Sequence, residues 1–457
     1  MTNSAVIPSP TEPADTDAFA GSEPWTAYWS RKELFRRCLE LAGRTRGGAA
    51  GTDRVSPHSL SPSECGELAE AVSEAVLEGR YRHGRIRIFK RRKPGGGHRD
   101  IEIANPADHL VDRHLMRPLR RSVACLPQSE LDLLDELDEL PAPHERLSDS
   151  CYPQPGTDDE RGEGTEALLK RLLAWIRQTP GPKWLAAYDI RKAFDNVPVA
   201  AAVDALAAMG AFKRAWSGHD EHSIRTLLTE VLTRGTGRPV GLSQGAACSE
   251  LALNALLHIA HDLPARQVLD AGLVLRYLDN LVYLSTDPAQ LSALHSQTLD
   301  LLQGININLT LKPDADEYGL FELKPGMRVP LLGLQVLWMN KGLAFRLPQG
   351  WKAHVRQRIA EARRTAAPPA QCVEDVLVGW LHSKGPALCN PGKPIQWVEQ
   401  ELRRQRLPEI SDGRLLMHAH HAYSTWRPLL ESDATSKCPQ SLLPGEGKGM
   451  AGGSAAA

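Results

Sequence analysis

The sequence predicts a mixed α/β (α+β) fold built around an antiparallel sheet, and three observations predict it. Trp184 to Tyr188 is a short apolar run of strand length. Leu273-Val274-Leu275-Arg276-Tyr277 and Leu281-Val282-Tyr283-Leu284 are two more, separated only by Leu278-Asp279-Asn280, the spacing of a tight hairpin. Elsewhere apolar residues recur with helical periodicity, first over Trp25 to Leu41 and again over Glu64 to Glu78.

The first 24 residues are rich in Ser, Thr, Pro and Ala, with too little to bury against ordering entropy, and are expected to be disordered. Residues 25–183 then hold N-terminal helices and a basic hairpin. Arg85-Ile86-Arg87-Ile88-Phe89 alternates as a strand, Pro94-Gly95-Gly96-Gly97 turns the chain, and Asp100 to Ile103 returns. Residues 122–166 read as an acidic inserted loop with one short helix. From Trp184 the pattern is strand, helix, helix, hairpin, and after Gly333 a mostly helical tail runs to about Ser424. The domain boundaries that follow are 184–340 and 341–430, with a flexible tail over 431–457.

Composition narrows the function classes. A chain of 457 residues, 42% apolar, can bury two or three cores. No apolar run approaches the length of a membrane span, and the N-terminal stretch lacks the basic start and apolar segment of a signal peptide; the cytoplasm is the expected compartment. The cysteines at 38, 65, 125, 151, 248, 372, 389 and 438 are scattered singly, without zinc-site spacing, and read as reduced core residues. The formal net charge of -1 conceals opposite fields in neighbouring segments. Gly79 to Arg121 carries 13 Lys or Arg against four acids, whereas Ser122 to Glu166 carries 13 acids against two Arg. Phosphate binding rests on such clustered cations, here on the hairpin. The acidic segment reads first as a solvated insertion, second as a surface that competes with phosphate for the hairpin.

Three motifs carry the candidate chemistry. Asp189 follows the first apolar strand and opens Asp189-Ile190-Arg191-Lys192-Ala193-Phe194-Asp195, which leads into a helix near Pro198. A carboxylate at a strand's C-terminal end is well placed for a metal, although Asp before a helix is ordinarily a cap. Asp279 stands at the hairpin tip, where Asp-Asn is also ordinary turn chemistry. Between them, Gly241 to Ser249 is a glycine-bracketed loop whose backbone can approach a substrate and whose Gln244 can hydrogen-bond a sugar or base. It lacks the Lys-Ser/Thr ending of a phosphate-binding loop.

In that order, these motifs resemble the palm of reverse transcriptases, especially those of bacterial group II introns and their stand-alone, defence-associated relatives. Asp189 to Asp195 looks like the family's first acidic motif, Gly241 to Ser249 its glycine-glutamine motif, and Tyr277 to Asn280 its Tyr-x-Asp-Asp hairpin. Gly304 to Lys312 is similar to the following lysine-bearing motif and Leu331-Leu332-Gly333 to the primer-grip turn. Leu77 to Tyr81 and Lys93 to Arg99 match the fingers, and Gly379-Trp380 the thumb. The resemblance implies a right-hand polymerase with basic fingers, a palm over 184–340 and a helical thumb over 341–430.

It also implies the reaction: transfer of deoxynucleotides to a primer on an RNA template by a two-metal mechanism, with Mg²⁺ or Mn²⁺ as cofactor. The implied partners are an RNA template, a DNA or RNA primer, deoxynucleoside triphosphates, and a protein or RNA encoded alongside; no membrane is implied. Asp189 and Asp279 would hold the ions with the Ile190 carbonyl. Asn280 departs from the family, which has a second aspartate there, and loses one negative charge of the metal site. Phe194 would sit under the sugar and exclude a 2′-hydroxyl. Lys93 and Arg99 would clamp the triphosphate, Gln244 would contact the nucleotide, and Lys312 would donate a proton to pyrophosphate. Lys352, Arg356, Arg358, Arg363 and Arg364 would follow the duplex from a thumb helix. His418, His420 and His421 read as a surface cluster rather than a metal site.

A stand-alone bacterial enzyme with a role in antiphage defence is the analogy this suggests. Two alternatives accompany it: a template-independent or protein-primed DNA polymerase, and a catalytically degenerate RNA-binding scaffold. For the scaffold speak Asn280, Ser243 where the family usually has proline, and Glu250 where it has another.

Overall fold

The computed structural model describes residues 24–44, 52–92, 98–123, 163–216, 218–269, 272–303, 309–311, 319–339, 342–365, 369–407, 410 and 412–431. They form the mixed helix and antiparallel-sheet fold that the sequence predicts. Two compact units emerge, residues 1–323 with 352–376, and residues 324–351 with 377–457.

The first unit opens with α1 (Trp25–Tyr28) and α2 (Arg31–Arg44), where sequence periodicity had suggested one helix. A four-residue helix has no stability of its own and is held by its contacts. Trp25 meets Trp216 edge-on at 5.0 Å, and the Tyr28 hydroxyl donates to the His114 carbonyl at 2.6 Å. Helix α3 (Pro62–Leu77) starts two residues before the expected position because Ser61 and Glu64 form a reciprocal capping box and Pro62 fits the first turn. Strands β1 (Arg87–Arg92) and β2 (His98–Ile103) pair antiparallel, as the basic hairpin requires, and α4 (Pro106–Ser122) follows. Most of the acidic insertion lies outside the described residues; its last four residues already belong to α5 (Glu163–Gln178).

Next come β3 (Trp184–Asp189), the single turn α6 (Ala193–Asn196), α7 (Val199–Ala208), α8 (Ala211–Ala215), α9 (Glu221–Thr233) and α10 (Ala247–Leu257). A π-helical turn over His258–Asp262 joins α10 to α11 (Leu263–Val268). Strands β4 (Leu273–Tyr277) and β5 (Asn280–Ser285), helix α12 (Pro288–Gln303) and β6 (Gly319–Glu322) complete the unit. The sheet order is β4-β5-β3-β6, antiparallel throughout, so the first aspartate's strand lies beside the hairpin that carries the second. Helix α12 packs on β3 and β5, α5 on β4, and α10 on α7 and α4. Leu206, Leu228, Leu251, Leu253 and Tyr283 are wholly buried in the resulting core.

The second unit contains the antiparallel sheet β7 (Arg328–Leu331), β8 (Leu334–Met339) and β9 (Gly342–Arg346). The tail after Gly333 is therefore not helical from its start. Its run of Val, Leu and Trp, bounded by Gly333 and Gly342, satisfies strand chemistry where a helical period is missing. Leu332 (φ 50°) and Gly333 (φ 72°) make the turn, and a Cβ on Gly333 would stand 2.8 Å from Lys384 Nζ, which donates to the Gly333 carbonyl. Helix α13 (Trp351–Thr365) begins in this unit and α14 (Pro369–Ser383) ends in it; α15 (Gly392–Arg404), α16 (Asp412–Ser424) and α17 (Arg427–Glu431) follow. Trp351 stacks on Trp380 and meets Trp397 edge-on.

Among the described residues, no helix is long and apolar enough to cross a membrane. Cys38, Cys65 and Cys248 are buried and unpaired as expected, but Cys372 is half-buried and Cys389 exposed. Cys125, Cys151 and Cys438 lie outside the described residues.

Candidate active site

Asp189 ends the buried strand β3 and is itself only 7% exposed. In the ladder between β3 and β5 its partner is Asn280, and the Ile190 N–H donates to the Asp279 carbonyl at 2.8 Å. Strands in a sheet stand about 4.8 Å apart, so the ladder brings the two aspartates and Asn280 to one end of the sheet. The Asn280 side-chain N–H donates to Asp279 Oδ1 at 3.2 Å and to the Tyr277 carbonyl at 3.4 Å. Asparagine thus fills the position with a donor to Asp279, which an ionised aspartate could not supply.

Two non-glycine residues of this end adopt left-handed backbone, Lys192 (φ 48°) and Leu278 (φ 53°). Each such conformation costs about 1 kcal/mol or more, and neighbouring bonds hold both. The Asp195 and Asn196 N–H groups donate to the Lys192 carbonyl, and the Arg191 N–H donates to the Thr310 carbonyl at 2.7 Å.

The glycine-bracketed loop is tied to the same segment. Its Gly241 N–H donates to the Val197 carbonyl, Leu242 N–H to the Phe194 carbonyl at 2.7 Å, and Gln244 Nε2 to Asp195 Oδ1 at 2.9 Å. Gly241 (φ 97°) is required, since a Cβ there would lie 3.2 Å from the Asp195 carbonyl. Phe194 is half-buried and packs against the core. Asp189, Asp195, Phe194, Gln244, Asp279 and Asn280 therefore share one linked framework.

The loop also binds β2, a link that sequence reading missed. Ser243 Oγ accepts from Arg234 Nε at 2.7 Å and donates to Glu102, whose carboxylate also pairs with Arg238 at 3.0 Å. Ser243 is wholly buried, and its N–H donates to the Leu232 carbonyl at 2.9 Å. The serine that departs from the family's proline has its own work here. Ser243→Ala is expected to lower stability by about 1–3 kcal/mol, because Arg234 and Glu102 each lose a buried partner. Ser243→Pro is expected to cost more, since it also removes the N–H that Leu232 receives; unfolding midpoints of the two variants check the order. The other departure, Glu250, lies in the first turn of α10, where burial pushes its carboxyl up against a partly opposing pull from Arg113.

Helix α10 is fixed from α4. Asp112, wholly buried, accepts from Ala247 N–H at 2.8 Å and Cys248 N–H at 3.0 Å, capping the helix by a side chain distant in sequence. No local sequence signal marks this cap.

The two carboxylates and one amide oxygen are hard donors that suit a divalent cation. Among the described residues, no group of three His, Cys, Asp or Glu side chains could hold a metal ion. His418 and His421 meet His382 edge-on in the second unit and add no such group. Lys93 and Lys312 lie outside the described residues; Arg99 is placed in β2, paired with Arg91.

Residues 137–313 match the family model described as reverse transcriptase (RNA-dependent DNA polymerase). Over those residues the chain is similar to a reverse transcriptase domain. The matched span of that domain contains Asp189, Phe194, Gln244, Asp279, Asn280 and Lys312 and leaves out Lys93 and Arg99. No curated protein matches the chain in sequence. Among solved structures, the apo telomerase from Candida tropicalis truncated from its C-terminal domain aligns at 13% identity and a TM-score of 0.38, over 62% of this chain and 60% of that one. A telomerase from Candida albicans in complex with a TWJ fragment of telomeric RNA aligns at 13% identity and a TM-score of 0.41, over 80% of this chain and 64% of that one. The chain thus spans less than two thirds of either telomerase chain.

Proposed function

We propose that this protein is an RNA-directed DNA polymerase that adds deoxynucleotides to a primer on an RNA template through a two-metal site. The observation that carries the reading is the ladder register of Asp189 with Asn280, beside the bond from Ile190 to Asp279, in a chain similar over residues 137–313 to a reverse transcriptase domain. A divalent metal pair would stabilise the attacking and leaving oxygens of phosphoryl transfer.

The protein's own residues would bind and orient. Asp189, Asp279 and the Ile190 carbonyl would hold Mg²⁺, or Mn²⁺ in its place. Phe194 would lie under the sugar, with Gln244 beside it on the loop that Asp195 anchors. Lys93 and Arg99 would grip the triphosphate from the basic hairpin, and Lys312 would protonate the leaving pyrophosphate. We assign residues 184–340 to the palm, the basic hairpin before it to the fingers, and 341–430 to the thumb. A stand-alone bacterial enzyme acting in the cytoplasm, in defence against phage, is the setting we favour.

The test is primer extension by the full-length protein on an RNA template, with Mg²⁺ and Mn²⁺ compared. Incorporation in Mn²⁺ at lower concentration than in Mg²⁺ is expected, because one carboxylate is missing at position 280. Asn280→Asp is expected to lower the Mg²⁺ concentration for half-maximal rate by about fivefold, the effect of roughly 1 kcal/mol of added attraction for the cation. Absence of incorporation in either metal, with activity appearing only in Asn280→Asp, would show the native protein to be a non-catalytic scaffold. A mass increase of the protein itself after incubation with labelled nucleotides would show self-priming instead.

A further inference from the structure

Arg276 lies on β4, three residues before Asp279, and is wholly buried, its side chain fully shielded from solvent. A guanidinium in such a place must use its donors, and it does. Nε donates to both oxygens of Asp262 at 3.0 and 3.1 Å, and Nη2 to Asp262 Oδ2 at 2.9 Å and to the Asn254 carbonyl at 3.2 Å. Nη1 donates to Asn254 Oδ1 and, at 3.0 Å, to the Leu278 carbonyl.

Asp262 is held in turn. His261 Nδ1 lies 2.7 Å from Asp262 Oδ1, His261 Nε2 2.6 Å from the Tyr283 hydroxyl, and that hydroxyl 3.1 Å from Thr298 Oγ1 on α12. His261 and Asp262 both belong to the π-helical turn, a distortion that recurs at functional sites. Burial acts to raise the Asp262 carboxyl, but Arg276 and His261 outweigh it and keep it far below the usual carboxylate range.

A buried ion pair of this kind adds little stability over an apolar pair of equal volume. One bond of the network leads to the site. Leu278 is a residue ill suited to its left-handed backbone (φ 53°), and the carbonyls on either side of the Asp279 N–Cα segment are both held: Leu278 by Arg276, Asp279 by Ile190. We propose that Arg276 is a positioning residue for Asp279, fixing the turn so that its carboxylate leaves in one direction. The role rests on the polymerase reading for its purpose but not for its geometry.

Arg276→Lys keeps the charge beside Asp262, but a single ammonium cannot also reach Leu278. Mn²⁺ binding to the free protein, followed by loss of the free-ion paramagnetic resonance signal, is expected to weaken by about tenfold, and kcat to fall by about 10–10², with the deoxynucleotide KM and primer–template Kd within about twofold. Leu278→Gly removes the backbone penalty, so in the Arg276→Lys background it is expected to restore about threefold or more of the Mn²⁺ affinity. Asn254→Ala leaves the bond to the Leu278 carbonyl and the Asp262 pair in place, so its Mn²⁺ affinity is expected to stay within about twofold of wild type; where Arg276→Lys fails to fold, Arg276→Met with Asp262→Leu removes the same bond without leaving a buried charge and is expected to weaken Mn²⁺ binding likewise. Unchanged Mn²⁺ affinity in a folded Arg276→Lys or in the Arg276→Met, Asp262→Leu protein, a loss in Asn254→Ala as large as theirs, or no recovery with glycine at 278, would overturn the assignment. A wild-type protein that binds Mn²⁺ yet extends no primer would overturn the polymerase reading alone.

Discussion

Asp189→Ala is expected to abolish primer extension, by about 10³-fold or more, in a protein that still folds. Loss of a carboxylate metal anchor removes several kcal/mol of transition-state stabilisation, and each 1.4 kcal/mol is about tenfold in rate. Folding should survive because the strand that carries Asp189 is fixed by its ladder: Leu185, Ala186 and Ala187 are buried on β3, between β5 and β6. Single-turnover extension on an RNA template measures the first expectation, thermal unfolding the second. Asp195→Ala is the internal control. Its carboxylate accepts from Gln244 Nε2 at 2.9 Å, so its loss should loosen the loop and raise the nucleotide KM severalfold, leaving the bulk of the rate intact. If both variants lose activity equally, Asp189 has no special standing and the two-metal assignment fails.

The parts of the site legible in the sequence are those whose signal is local. An apolar run ending in Asp189, and two more flanking Asp279, sufficed to predict a strand and a hairpin, and both are found with the expected residues at their ends. Nothing local says that the strand of Asp189 pairs with the hairpin of Asp279; family resemblance supplied that step, and the β4-β5-β3-β6 order is the corresponding physical fact. The buried charges were the least legible. Arg276 sits in an otherwise apolar strand and Asp112 on a helix with an ordinary polar pattern; the carboxylate that pairs with Arg276 lies 14 residues away, and the N–H groups that Asp112 caps lie 135 and 136 away. A wholly apolar context around a single Arg was the only available sign that a carboxylate waited opposite. Ser243 and Asn280 looked like losses against the family pattern. Their bonds to Arg234, Glu102 and Asp279 tie each to its neighbours in the fold. The tail misled because composition alone did not separate the strands after Gly333 from the helices beyond Trp351.

Phe194→Ala is expected to admit ribonucleotides. The residue's carbonyl accepts from Leu242 N–H at 2.7 Å, and its ring is half-buried against the core, so the side chain is anchored at its base and by its packing. An anchored ring cannot yield to an added hydroxyl, and overpacking of about 1–3 kcal/mol corresponds to roughly 10–200-fold discrimination. Alanine removes the obstruction without touching the backbone bond that positions the glycine loop. The selectivity for deoxynucleotides over ribonucleotides, as the ratio of kcat/KM values, should therefore fall by about 10–10² while extension with deoxynucleotides drops only severalfold. Phe194→Tyr supplies the opposite arm: it keeps the ring and should keep the selectivity. Equal loss of both substrates in Phe194→Ala, with selectivity unchanged, would assign the ring to the core and leave sugar selection to another residue.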